Sequence, residues 1–227
     1  MCFSATASFA TAAVLVPAGA FTVQRAWTTD RRYLAIGALP LLFGLQQFSE
    51  GMVWMGGAYQ APALVATFSL AYMFFAWFLW PVWVPLATFF TEPARRKPLY
   101  LLFAIAGGTL GGLQYVPYFA HDGWLVTTFL SGAIAYGGTE LLDFVIGRTT
   151  TYTIYLVIIV APLLIASDRR LRVFGVLVGL VFVTTYLFFR YAYISVFCFG
   201  GALMSLYLVY MILRLDRRKP AGVLAAA

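Results

Sequence analysis

The chain has 227 residues, 63% of them hydrophobic and only 10% charged, with a formal net charge of +7 and a mean hydropathy of +0.88. A soluble domain carries about 25% charged residues, so this chain has too little charge to cover a globule and takes lipid as its solvent. Its basic residues fall in short clusters between apolar runs, which excludes the continuous basic face of a nucleic-acid binder, and two cysteines, Cys2 and Cys198, exclude a disulfide-rich secreted fold.

A membrane crossing needs roughly 20 apolar residues. On that measure the sequence predicts an all-α membrane protein, a single seven-helix transmembrane domain over 1–227. The spans lie near 8–26, 33–55, 63–90, 99–119, 150–167, 171–189 and 191–213. No basic stretch precedes the first apolar run, so no cleavable signal peptide is expected. That run is entered through a polar segment carrying Cys2, Ser4, Thr6 and Ser8.

The second span contains LLFGLQQFSEGMVWM, Leu41 to Met55, with Gln46, Gln47, Ser49 and Glu50 inside an otherwise apolar stretch. Gln46, Gln47, Glu50 and Trp54 share one helical face. Glu50 lies about 17 residues beyond Arg32, roughly 26 Å along a helix, which places it near the far surface of a core about 30 Å thick. The third span is overlong and holds FFAWFLWPVWVPLATFF, where Trp77, Trp80 and Trp83 recur three apart and Pro81 and Pro85 predict a bend. In the fourth, AGGTLGG sets Gly107 with Gly111 and Gly108 with Gly112, a spacing that lets helices approach closely within the bundle or between protomers. Gln114 and Tyr115 reach the height of Glu50.

Residues 120–149 are too short in apolar content to cross and are expected to form an external lid. The alternation in WLVTTFL and the following Tyr-Gly-Gly permit a β-hairpin. Residues 171–213 are one nearly unbroken apolar run with basic residues at both ends, which requires an even number of crossings and predicts two helices with a turn near Arg190. Arginine and lysine cluster at 25–32, 95–97 and 169–172, between alternate spans, and at 214–219 after the last. The positive-inside rule then puts the N-terminus outside and the C-terminus in the cytoplasm. The expected location is a bacterial inner membrane, crossed several times.

Polar groups therefore gather in the outer half, and the cytoplasmic half is nearly bare of them. Such asymmetry speaks against a channel or proton relay, which needs polar stations through the full depth. It predicts a half-depth pocket open to the outside, built from Glu50, Gln46, Gln47, Arg190, Ser4, Thr6, Tyr115 and Trp80. One reading is a protein that binds or senses a lipid-like or aromatic ligand. A second is an intramembrane enzyme of lipid-hydrolase type, with Glu50 as acid or base and Cys2 or Cys198 as nucleophile or ligand. A third is an accessory subunit of a membrane complex. Alternatively, Glu50 pairs with Arg190 and locks two helices. Cys2 and Cys198 stand on the same side as a disulfide pair, as soft metal ligands, or as two unrelated thiols. His121, the single histidine, has no ligand spacing around it and makes a weak metal candidate. No cofactor is assigned. The expected partners are membrane lipids, a small apolar ligand and a second copy through the Gly107/Gly111 face. The last span holds no lysine for a Schiff base, which excludes a retinal protein.

MCFSATASF, PLLFGLQQFSEGMVW, LWPVWVPLA, SDRRLRVFG and YISVFCF, in this order, closely resemble an uncharacterised family of bacterial integral membrane proteins, a domain of unknown function. The resemblance runs from Met1 to about Tyr210. It implies a shared fold and no established activity. The motif residues it carries over are Cys2, Ser4, Thr6, Ser8, Gln46, Gln47, Glu50, Trp80, Pro81, Pro85 and Cys198. Relatives carry a histidine before an Ile-x-Tyr in the external loop, where this chain has Ala133, and that departure weakens any histidine-dependent metal or catalytic role.

Overall fold

Helix α1 (Ala5–Thr29) starts where Ser4 accepts a hydrogen bond from the Ala7 N–H at 3.3 Å, a side-chain cap on the first turn. The computed structural model describes residues 4–189 and 192–215. Cys2, Arg190 and the basic residues at 217–219 lie outside them.

After a 3-10 turn at Arg31–Tyr33, a short helix α2 (Leu34–Gly37) passes into α3 (Leu39–Ala58). The Thr22 hydroxyl donates to the Gly37 carbonyl at 2.6 Å at that junction. Helix α4 (Pro62–Met73), a π-helical turn (Phe74–Leu79) and α5 (Trp80–Thr91) run on as one rod of 30 residues. The overlong third span is thus a single rod with a π segment just ahead of Pro81. Helix α6 (Lys97–Ala120) leads to strands β1 (Leu125–Leu130) and β2 (Ala133–Gly138). These pair antiparallel from Leu125 opposite Gly138 to Leu130 opposite Ala133. Gly132, at φ 80°, supplies the left-handed residue in the two-residue turn. Helices α7 (Arg148–Leu164), α8 (Arg169–Phe188) and α9 (Tyr193–Leu213) follow. The long apolar run 171–213 does divide into two helices.

Five of these rods are long and apolar enough to cross a membrane: α1, α4–α5, α6 with its preceding turn, α8 and α9. The protein is accordingly an all-α membrane protein. Helix α7, at 17 residues, is shorter. Helix α3 is diluted by its amides and carboxylate, and its position explains why it tolerates them. It packs on α1, α4 and α9, so its polar residues face protein instead of acyl chains.

The α1–α3 contact is close because two glycines permit it. A Cβ on Gly19 would stand 2.2 Å from the Leu41 amide nitrogen, and one on Gly44 would meet the Val16 nitrogen at 2.9 Å. The Gly107/Gly111 pair works the same way inside the chain. Gly107 lies against the Pro81 carbonyl and Gly111 against that of Trp77. Within the chain this face is packed by Pro81 of α5 and by Trp77 and Phe78 of the π-helical turn.

One end of the bundle collects the arginine-rich turns. There the Tyr33 hydroxyl donates to Asp168 at 2.7 Å. The buried Glu92 accepts from the Ser167 amide at 2.6 Å and from its hydroxyl at 2.7 Å. Arg96 closes on the same pair, 3.5 Å from Glu92 and 2.9 Å from the Ser167 hydroxyl. Three inter-helix turns are tied together at this rim.

Candidate functional site

The polar face of α3 points into the bundle. Gln46, Gln47 and Glu50 have no solvent exposure, and Ser8 of α1 and Ser195 of α9 are buried beside them. The Ser195 hydroxyl donates to Glu50 Oε1 at 2.5 Å. Ser8 and Gln47 approach the same carboxylate, yet neither closes a hydrogen bond of ordinary geometry. Trp80 Nε1 donates to Gln46 Oε1 at 3.0 Å, and the Trp80 ring stacks on Phe43 at 4.0 Å. The Cys198 thiol, buried, stands between Gln46 and Tyr72. Residues of five helices, α1, α3, α4, α5 and α9, thus gather around one buried carboxylate.

Much of this cluster is unpartnered. Ser8 Oγ, Gln46 Nε2, both amide atoms of Gln47, Glu50 Oε2 and the Tyr72 hydroxyl are all buried without closing a hydrogen bond of ordinary geometry, although Ser8 and Gln47 lie beside the Glu50 carboxylate and Gln46 and Tyr72 beside the Cys198 thiol. Each such group costs about 1–3 kcal/mol, and native interiors contain few of them. None of the ion pairs among the described residues includes Glu50.

The hairpin covers one end of the cluster. Tyr136 of β2 stacks on Tyr72 at 4.7 Å, and burial pushes its phenol well above the usual range, so it stays a donor. The Thr127 hydroxyl donates to Ser69 of α4 at 2.8 Å. Phe129 packs on Trp54 at 5.8 Å and fills the space over Gly57. The base of the hairpin is fastened by a second buried carboxylate, Glu140. It accepts from Gln114 Nε2 at 2.9 Å and the Tyr152 hydroxyl at 2.8 Å, with Arg148 at 3.7 Å. Burial raises the Glu140 carboxyl above the usual carboxylate value, against the opposing hydrogen bonds of Tyr152 and Gln114. Arg148 also holds Asp143 and donates to the Gly138 carbonyl at 3.0 Å.

Among the residues expected at the site, Glu50, Gln46, Gln47 and Trp80 are brought together. Ser4 and Thr6 are not: both are exposed, Ser4 serves as the helix cap, and Ser8 is the residue of that segment that reaches Glu50. Tyr115 faces away and packs edge-on against Phe74 at 5.5 Å, leaving its neighbour Gln114 to bond inward. Arg190 and Cys2, and with them the Glu50–Arg190 pair and the Cys2–Cys198 bridge, fall outside the described residues. His121 is exposed and stacks on Trp124 at 4.5 Å. Among the described residues no three His, Cys, Asp or Glu side chains form a metal-binding group.

A family profile matches residues 1–225. The chain belongs to DUF6629, a family of unknown function. No curated protein and no solved structure matches it.

Two small cavities adjoin the cluster of this DUF6629 protein. One, about 30 Å³, is an apolar slot among Phe43, Trp80, Val84, Phe197 and Cys198. The other, about 10 Å³, lies among Trp77, Tyr152, Tyr155, Tyr193 and Cys198. Both meet at Cys198, beside the polar groups. The site is enclosed in this conformation, where an outward-open pocket was expected. Sequence reasoning left Ser195, Tyr72 and Tyr136 out of the site. Ser195 was legible in part, since it lies three residues before Cys198 on the same face of α9.

Proposed function

We propose that this is a seven-crossing protein of a bacterial inner membrane, N-terminus outside, whose outward-facing polar pocket binds or senses a lipid-like or aromatic ligand. The ligand's polar head sits at Glu50, Gln47, Ser8 and Ser195. Its apolar part follows the slot beside Trp80 and Phe43. Residues 120–149 act as the external lid, and entry requires the hairpin to lift Tyr136 from Tyr72. The reading is carried by the set of buried, unpartnered polar atoms around the Glu50 carboxylate, adjoining an apolar slot at Cys198 and Trp80.

Native mass spectrometry of the full chain, released from neutral detergent, tests this reading. A discrete species bound to the wild type and lost in Glu50→Gln supports it. The same adducts in both proteins, or none beyond bulk lipid, overturn it.

A second reading rests on the 2.5 Å contact between Ser195 Oγ and Glu50 Oε1. It is an intramembrane hydrolase in which Glu50 takes the Ser195 proton as the hydroxyl attacks an ester carbonyl, returns that proton to the departing alcohol as the ester C–O bond breaks, and then activates a water that hydrolyses the acyl-Ser195 ester to free acid and serine. This places Ser195 where the cysteines were expected to serve. A fluorophosphonate probe distinguishes the two: labelling that is lost in both Ser195→Ala and Glu50→Gln favours hydrolysis, and absence of labelling favours binding alone.

A further inference from the structure

The arginine-rich rim holds another concavity, of about 390 Å³, whose lining shares no residue with Glu50 and its partners. Arg170 lines it from the first turn of α8. Tyr207, Tyr210, Met211 and Arg214 line it from the end of α9. The Arg214 guanidinium lies 5.5 Å from the centre of the Tyr210 ring, a cation–π contact that orients it. Arg32, Arg96 and Arg148 of this protein are each paired with a carboxylate, whereas Arg170 and Arg214 enter none of the ion pairs among the described residues. The neighbouring carboxylate, Asp168, is already engaged by the Arg170 amide at 2.8 Å and the Tyr33 hydroxyl at 2.7 Å. Two guanidiniums and two phenols therefore line a concavity beside the start of α8, a 20-residue helix whose dipole favours an anion there.

Beside it, Arg169 and Arg172 head a groove of about 320 Å³ whose remaining lining is Val173, Val176 and Leu177. Val173 and Val176 are exposed. Charge at the rim and bare aliphatic surface directly along the same helix match the two halves of a phospholipid. Free phosphate has no use for the second half.

We propose that this rim binds anionic phospholipid, with a headgroup phosphate held between Arg170 and Arg214 and acyl chains lying along the apolar flanks of α8. Guanidinium suits phosphate because its planar fork donates two parallel hydrogen bonds. Basic pockets between transmembrane helices recognise lipid headgroups by this chemistry.

The test uses the full chain in neutral detergent, titrated with phosphatidylglycerol, phosphatidylcholine or inorganic phosphate and read by native mass spectrometry. Phosphatidylglycerol is expected to bind in preference to phosphatidylcholine. Arg170→Gln with Arg214→Gln should weaken it by on the order of tenfold. Arg31→Gln with Arg95→Gln removes the same charge from exposed positions that do not line the concavity and should leave binding unchanged. Equal binding of the two lipids, or equal loss in the two double variants, overturns the proposal. So does inorganic phosphate that displaces phosphatidylglycerol at equal concentration, which would assign the site to the free anion.

Discussion

The carbonyl oxygen of Pro81 lies against Gly107 so closely that a Cβ there would stand 1.9 Å from it. The arrangement follows from proline chemistry. Pro85 has no N–H to offer the Pro81 carbonyl, and Pro81 has none for Trp77. Those two carbonyls are the ones facing Gly107 and Gly111. Prolines four apart on α5 are matched by glycines four apart on α6. Gly107→Ala is expected to destabilise the protein by about 1–3 kcal/mol through overpacking against rigid backbone. Gly112→Ala meets nothing within 4 Å and should be neutral or stabilise by up to about 1 kcal/mol. Chemical unfolding in detergent compares them.

At the arginine-rich rim, Glu92 holds the α7–α8 turn through both donors of Ser167. Glu92→Ala should cost about 2 kcal/mol, the scale of hydrogen bonds to a charged group. Glu92→Gln keeps an acceptor and should cost less. Equal loss in the two variants would show that the carboxylate's hydrogen bonds are not what fastens the turn.

Glu140 makes a pH prediction. Burial raises its carboxyl above the ordinary 4.5, so the folded state holds the proton more tightly than the unfolded state. Its contribution is therefore most favourable below about pH 4.5 and declines as pH rises through the folded value. Glu140→Gln keeps an acceptor oxygen in place and removes this dependence. Unfolding midpoints measured between pH 4 and pH 8 should fall less steeply in the variant than in the wild type.

The hairpin contact at Thr127 and Ser69, 2.8 Å between hydroxyl oxygens, offers a way to lock the lid. Thr127→Cys with Ser69→Cys should form a disulfide under oxidising conditions. Exchange of the species bound at Glu50 should then slow, and reductant should restore it. Exchange unaffected by the bond would place the entrance elsewhere.

The helices were largely legible because run length and terminal charge are one-dimensional quantities. The run 171–213 divides into two helices, one ending at Phe188 and the next beginning at Tyr193, as its length and its basic ends suggest. The polar interruption of an apolar run was legible for the same reason, and it led to Glu50, Gln46 and Gln47, which are buried in the bundle. Azimuth was not. Gln114 and Tyr115 share a height, but one residue is about 100° of rotation, and it separates an inward bond to Glu140 from a contact with Phe74. Ser195 is 145 residues from Glu50 in sequence, and no local pattern announces that meeting. The Gly107/Gly111 spacing was read correctly as close approach. The same signature serves partners within a chain and between chains, so it did not identify Pro81.

The central claim is that the Glu50 carboxylate contacts a bound ligand, and infrared difference spectroscopy tests it most directly. The full chain, in neutral detergent, is measured before and after stripping of its co-purified species, with Glu50→Gln identifying the Glu50 carboxyl band. The account predicts that stripping shifts that band and that the shift is absent in Glu50→Gln. A Glu50 band unchanged by stripping, while bound species are demonstrably removed, would contradict it.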